Sequence, residues 1–245
     1  MIVRSIVIAS SVLAMALFAP ARAEDAKDNP AVKVLNRDNP RHKEFLKIVA
    51  KGEGDVIFIG DSITHGWEGA GKKAWAENFT AFKPINLGIG GDQTGHVLWR
   101  LTEGKEIEPL KPKLAVIMIG TNNTGGHTAE QIAGGIKAIV AELQKQKPEI
   151  KVLILGVFPR SGPGLKKEDL VCPADKLQPK IKAINDIIAK FADDKKVFYK
   201  DIGPKFLDKD GALDRKIMPD FLHLSPAGYD IWAAAIKEDL EKLTK

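Results

Sequence analysis

A single α/β domain, a parallel sheet covered by helices on both faces, is the fold class this sequence predicts. Short apolar runs recur along the chain, and longer stretches with helix-type spacing separate them. Most of the runs are continuous and β-branched rather than alternating, as in strands buried on both faces. The chain has 245 residues, 44% of them hydrophobic and 28% charged, with 22 Gly and 14 Pro. That length can bury one sizeable core, and that composition excludes disordered, collagen-like and disulfide-stapled proteins.

Taken in order, the first segment is an address. Arg4 precedes an apolar run over 5–20, and Ala21-Arg22-Ala23 comes next. A basic start, a short greasy middle and a small-x-small site read as a signal peptide over 1–23, with the domain spanning 24–245. The run is shorter than the roughly 20 residues a spanning helix needs, so no transmembrane anchor is expected after cleavage. The expected location is secreted or periplasmic. Residues 24–39 are polar and proline-punctuated and read as a loose N-terminal arm leading into a helix over 41–51. Runs at 56–60, 83–87, 114–120, 152–158 and 197–199 read as strands. Segments 95–102, 128–146, 175–191 and 226–243 read as helices, and Thr128 with Gln131 three residues on is a helix-start signature.

The net charge is +5, and Arg4 and Arg22 fall in the signal segment, leaving +3. With no compact basic stripe, no nucleic-acid partner is expected. Cys172 is the only cysteine, which excludes an internal disulfide. The histidines are scattered, and neither an H-E-x-x-H motif nor a cysteine pair occurs, so neither a metal nor a cofactor is expected. A phosphate-binding loop fails too, because Gly90-x4-Gly95 is followed by His96 where a Lys is needed.

Ligands of parallel sheets bind outside the carboxyl ends of the strands. After the first run come Asp61-Ser62, after the second Gly88-Ile-Gly-Gly91-Asp92, and after the third Thr121-Asn122-Asn123. Ser62 therefore stands at a strand end before a helix turn, where a hydroxyl is exposed and backbone N–H groups are free; the plain alternative is a helix cap. A serine attacks only when a base takes its proton. Among five histidines, His42 lies in the charged stretch Arg41–Phe45 and reads as solvated. His65 and His96 stand just after rim clusters and read as structural, and His127 as a loop residue. His223 differs, because Asp220 stands three residues ahead and can fix the imidazole tautomer. Gly91, Asn122 and the Ser62 N–H are candidate donors to a developing oxyanion. Asp61 reads as a loop brace accepting backbone N–H bonds. The G-x-S-x-G elbow is absent.

Gly60-Asp61-Ser62, Gly91, Gly120-Thr121-Asn122 and Asp220-x-x-His223 resemble, in order, the four blocks of the SGNH (GDSL) hydrolases. The stretch from Asn86 through Gly88, Gly90, Gly91, Asp92 and His96 to Leu101 is similar to the catalytic subunits of intracellular platelet-activating-factor acetylhydrolases, as are Gly120-Thr121-Asn122-Asn123 and Phe221-Leu222-His223-Leu224-Ser225. The resemblance implies a flavodoxin-like three-layer α/β/α sandwich with a mostly five-stranded parallel sheet, and metal-free ester hydrolysis. It implies Ser62 as nucleophile, His223 as general base, Asp220 as its orienting acid, and Ser62, Gly91 and Asn122 as the oxyanion hole. It also implies an acyl pocket walled by Ile63, Thr121 and Leu222, small enough to favour acetyl; Ile63 departs from the family's Leu at nearly equal volume. The expectation is thus a secreted serine esterase acting on a small ester, an acetylated sugar or lipid, as a monomer or a homodimer. The alternatives are a non-catalytic carbohydrate- or lipid-binding module, and a lysophospholipase or thioesterase with a longer acyl pocket. The loop over 160–173 is expected on the same rim.

Overall fold

The computed structural model describes residues 28–245, so the expected signal peptide lies outside the described residues. The chain runs α1 (Pro40–Val49), β1 (Val56–Gly60), α2 (Ser62–His65), α3 (Lys72–Asn78), β2 (Pro84–Gly88), α4 (Thr94–Leu101), β3 (Leu114–Met118), α5 (Ala129–Gln146), β4 (Lys151–Leu155), β5 (Val171–Cys172), α6 (Pro179–Ile188), β6 (Val197–Lys200), β7 (Leu213–Asp214) and α7 (Pro226–Leu243). Five strands pair in the order β2-β1-β3-β4-β6, every pair parallel. From β1 the chain crosses outward to β2 and then returns to the other side of β1 for β3. The strand order reverses there, and the crevice at the carboxyl ends of β1 and β3 is where such sheets take ligands.

Strand alternation builds two cores. Ile57 and Ile59 of β1, with Ala115 and Ile117 of β3, pack against α1, α4, α5 and α6 through Phe45, Val97, Ile136 and Ile184. Val56 and Phe58, with Val116 and Met118, face the other way, against Phe79 beside α3 and against Trp232 and Ile236 of α7. All five β1 residues are buried, which is why the run shows no polar alternation. Three layers result, as the fold class predicts. The Thr128 cap forms: its hydroxyl accepts from the Gln131 N–H at 3.2 Å, and the Gln131 side chain accepts from the Thr128 N–H at 3.0 Å.

Some expectations need correction. The segment read as a loose arm is anchored at points between 29 and 37: Ala31 is buried, its carbonyl accepts from the Thr94 hydroxyl at 2.6 Å, and the Leu35 N–H donates to the Gly95 carbonyl at 3.1 Å. His42 is buried rather than solvated, with Nδ1 3.0 Å from Glu106 Oε2. The helix expected over 175–191 starts only at Pro179, where a proline at the first turn suits the missing N–H, and single 3-10 turns flank it at Ala174–Lys176 and Ala189–Phe191. The loop over 160–173 ends in a short antiparallel ribbon, β5 with β7.

Candidate active site

The Ser62 position is built by close packing at the end of β1. A Cβ on Gly60 would lie 2.0 Å from the Thr64 hydroxyl and 2.4 Å from the Met118 carbonyl, so only glycine lets α2 turn this tightly off the strand. Asp61 caps α2, its Oδ1 accepting from the Ile63 N–H at 2.9 Å, and Ser62 is the first residue of the helix. The Tyr229 hydroxyl donates to the Ile63 carbonyl at 2.6 Å, which ties α2 to α7. Trp67, just beyond α2, is 4.6 Å from Tyr229 and 4.8 Å from Trp232 between ring centroids, a tight aromatic cluster under the same segment.

The partner groups arrive from the far end of the chain. Ser62 Oγ is 2.9 Å from His223 Nε2, across 161 residues of sequence. His223 Nδ1 is 2.6 Å from Asp220 Oδ2, and Asp220 Oδ1 accepts from the N–H groups of Leu222 at 3.0 Å and His223 at 2.7 Å. Phe221, between them, is buried at φ +58°, a left-handed bend that folds the Asp220 carboxylate back onto the imidazole. Partial burial alone would raise the Asp220 carboxyl, but the hydrogen bonds and the charge from His223 outweigh it and hold it below the usual carboxylate range. A carboxylate bound to Nδ1–H leaves Nε2 free to accept the serine proton.

Two loops complete the rim. Gly91 sits at φ +79°, a conformation that favours glycine, in the loop after β2. Asn122, in a 3-10 turn after β3, donates through Nδ2 to the Asp92 carbonyl at 2.9 Å, which leaves its second amide hydrogen available. Gln93 Nε2 in turn donates to the Asn122 carbonyl at 3.1 Å. The structure thus brings Ser62, Asp220 and His223 together and ties the Gly91 and Asn122 loops to each other. Of the expected pocket walls, each adjoins a site residue in sequence: Ile63 comes after Ser62, Thr121 precedes Asn122 and Leu222 precedes His223. Ile63 and Thr121 are buried, and Leu222 is half-buried against the cluster that holds Ile63. His96 Nδ1 accepts the Gln93 N–H at 3.0 Å and so caps α4, while His127 Nδ1 lies 3.3 Å from the Asn123 carbonyl in its loop.

Asp61 braces the loop as its strand-end position implies, but its charge state is set by burial, and Arg160 joins the site although no motif singles it out. Asp61 is fully buried and its Oδ2 has no hydrogen-bond partner. Burial is the main cause that pushes its carboxyl up to about 7; nearby Asp92 adds to this, and the Ile63 N–H, His223 and Arg160 oppose it. Arg160, past the end of β4, donates from Nη1 to the Thr121 hydroxyl at 3.3 Å, and burial lowers its guanidinium against the pull of Asp61 and Asp220. The strand-end rule that singles out Ser62, Gly91 and Asn122 reaches Arg160 as well, once the carboxyl end of β4 is included. The next residue, Ser161, donates its N–H to the Phe221 carbonyl at 3.0 Å, so the 160–173 loop lies against the His223 turn. No group of three metal-ligating side chains is gathered among the described residues.

A hydroxyl hydrogen-bonded to an imidazole, itself backed by a carboxylate, beside glycine and amide donors, is an arrangement able to transfer acyl groups. Comparison with known proteins points the same way. The model of the GDSL-like lipase/acylhydrolase family matches residues 58–231. The chain is 38% identical over 189 residues to the human platelet-activating factor acetylhydrolase IB subunit alpha1, covering 77% of this chain and 76% of that protein. A GDSL-like lipase from Bacteroides thetaiotaomicron superposes with a TM-score of 0.62 at 25% identity, covering 82% of this chain and 97% of that one. A carbohydrate acetylesterase from Sinorhizobium meliloti shares the fold, with a TM-score of 0.57 at 21% identity over 78% of this chain and all of that one.

Proposed function

This chain belongs to the GDSL-like lipase/acylhydrolase family and is a carboxylic ester hydrolase, and on that premise we propose that it is an exported serine esterase removing short acyl groups, acetyl above all. Ser62 attacks the acyl carbon while His223 Nε2 takes its proton. The carbonyl oxygen, now an oxyanion, is held by the N–H groups of Ser62 and Gly91 and the carboxamide of Asn122. The tetrahedral adduct collapses to an acyl-serine as His223 protonates the departing alkoxide. Water, deprotonated by the same imidazole, then attacks the acyl-serine and releases the acid, returning the proton to Ser62. Asp220 holds the imidazole in the productive tautomer and stabilises its charged form.

The observation that carries this reading is the 2.9 Å contact between Ser62 Oγ and His223 Nε2, with Asp220 behind it. Acetyl preference is supported by the acetylhydrolase to which the chain is 38% identical, and by the carbohydrate acetylesterase whose fold it shares. An acetylated sugar or lipid fits that chemistry. Export is supported by the N-terminal sequence pattern. No helix among the described residues is long and apolar enough to cross a membrane. One observation favours a second reading, a longer-chain acylhydrolase: an apolar groove of about 750 Å³ lined by Val157, Leu177, Tyr199 and Leu207 reaches Pro159, next to Arg160. A p-nitrophenyl ester series from C2 to C12 separates the two, with a rate maximum at C2 expected and one at C8 or beyond favouring the rival. Ser62→Ala should abolish turnover and labelling by a fluorophosphonate; undiminished hydrolysis would end the serine mechanism.

A further inference from the structure

The N-terminal segment reaches the candidate oxyanion loop through one side chain. Arg37 Nε donates to Asp92 Oδ1 at 2.6 Å, and its Nη2 donates to the Gly90 carbonyl. Arg37 is held in place by the packing of residues 29–35 along α4 and α5, where Asn29 Nδ2 donates to the Gln131 carbonyl at 2.9 Å. Asp92 has two further ties. Its Oδ2 accepts from Arg100 Nε at 2.9 Å in a fully buried pair, and its backbone carbonyl accepts from Asn122.

We propose that Arg37 is a positioning residue for ester hydrolysis, holding the Gly90–Gly91 peptide so that the Gly91 N–H faces the Ser62 hydroxyl. The inference rests on the serine-esterase reading above. In a trans peptide the C=O and N–H point in opposite directions, and no cis bond occurs among the described residues. A guanidinium gripping the Gly90 oxygen from one side therefore sets the Gly91 hydrogen on the other. Gly90 is next to the nucleophile, since a Cβ there would lie 3.8 Å from Ser62 Cβ. The grip matters because glycine populates φ of either sign almost equally, so a Gly-Gly peptide turns over at little cost. Turned over, it would present a carbonyl oxygen to the developing oxyanion, replacing attraction with repulsion. The same guanidinium steadies Asp92, whose carbonyl holds the Asn122 amide. One side chain thus orients two of the three proposed donors without touching the substrate.

The test uses the full chain and compares Arg37→Ala, Arg37→Gln and Arg37→Lys with wild type on p-nitrophenyl acetate. Arg37→Ala should fold, because Asp92 keeps its buried partner Arg100 and the Arg37 side chain is 25% exposed. Its kcat should fall about 10–100-fold, somewhat less than the 10²–10³ of deleting an oxyanion donor outright, with KM within about threefold. Added methylguanidine at non-denaturing concentration should restore part of kcat to Arg37→Ala and leave wild type unchanged. Arg37→Lys should fall between, since one ammonium does not reproduce the two-pronged grip. A kcat for both Arg37→Ala and Arg37→Gln within threefold of wild type would overturn the proposal. So would a loss appearing in KM alone, or activity falling in step with melting temperature and not recovered by methylguanidine. If Ser62→Ala is inactive while Arg37→Ala is fully active, only this inference fails; if Ser62→Ala is active, the esterase reading fails first.

Discussion

Replacing Asp61 by asparagine should stabilise the fold, and the gain should grow with pH. Asp61 is buried with one carboxyl oxygen unpartnered, and it titrates near 7 instead of its usual 3.8. Well below pH 3.8 the group is neutral whether the chain is folded or not. Between those values the folded chain holds a proton that the unfolded chain has released, so stability falls as pH rises and levels off above 7. That gap of about three pH units converts to a penalty of about 4 kcal/mol at pH 8, against about 2 kcal/mol at pH 5. Asparagine keeps an acceptor for the Ile63 N–H and carries no charge. The desolvation of its own amide, about 1–3 kcal/mol, is the same at both pH values and cancels from the comparison. Urea unfolding of both chains at pH 5 and pH 8 should therefore show the advantage of Asp61→Asn growing by about 2–3 kcal/mol between them. An advantage constant to within about 0.5 kcal/mol would mean that Asp61 ionises as it does in water, and the reasoning about its burial would be wrong.

Three further outcomes are expected at the site. Asn122→Ala should lower kcat about 10²–10³-fold with little change in KM in steady-state assays, as loss of an oxyanion donor does. Tyr229→Phe leaves the Ile63 carbonyl without its donor and should cost about 1–2 kcal/mol, read as a lower melting temperature with kcat within a few-fold of wild type. Gly91→Ala makes only an ordinary van der Waals contact, with Arg37 Nη2 3.8 Å from the new Cβ, so its cost is the φ of +79°. Strain of about 1–2 kcal/mol should reshape the loop and lower kcat more than stability.

The residues most legible in the sequence are those whose neighbours in the chain decide their state. Val56–Gly60 and Leu114–Met118 are central strands, so burial on both faces leaves an unbroken apolar run, and Ser62, Asn122 and the Asp220–His223 pair stand out against what surrounds them. Where the deciding contact is distant, the sequence misleads. His42 reads as solvated from its charged neighbours, yet it is buried on one helix face with Phe45 and Val49, against Glu106 far along the chain. Arg37 lies in a stretch with no periodicity, and only the folded chain reveals that its partners are Asp92 and Gly90, more than fifty residues on. Residues 24–39 read as a loose arm because irregular, proline-punctuated chain without a long apolar run is usually solvated; between 29 and 37 a few specific contacts, those of Asn29, Ala31, Leu35 and Arg37, hold the chain down instead. The bracing role of Asp61 is legible from its strand-end position, whereas its burial, its unpartnered oxygen and the approach of Arg160 are visible only in three dimensions.

The two halves of the candidate site are held by different structures, and this bears on how the chain can vary without losing the arrangement. Ser62, Gly91 and Asn122 stand at the ends of β1, β2 and β3, whose register is locked by pairings such as Gly60 with both Gly88 and Met118. Their mutual positions are set by the sheet. Asp220 and His223 stand on a late turn that no strand of this sheet supports. That turn is fixed from the side: the Arg215 guanidinium stacks 4.2 Å above the Phe221 ring and donates to the carbonyls of Asp169, Lys167 and Pro219, while Ser161 donates to Phe221. The β5–β7 ribbon joins these two segments, which are remote from each other along the chain. The 160–173 loop is therefore part of what holds the imidazole at hydrogen-bonding distance from the serine, whatever it contributes to the leaving-group side. A change there acts on the position of His223 before it acts on substrate contacts, and its first effect belongs in kcat rather than KM.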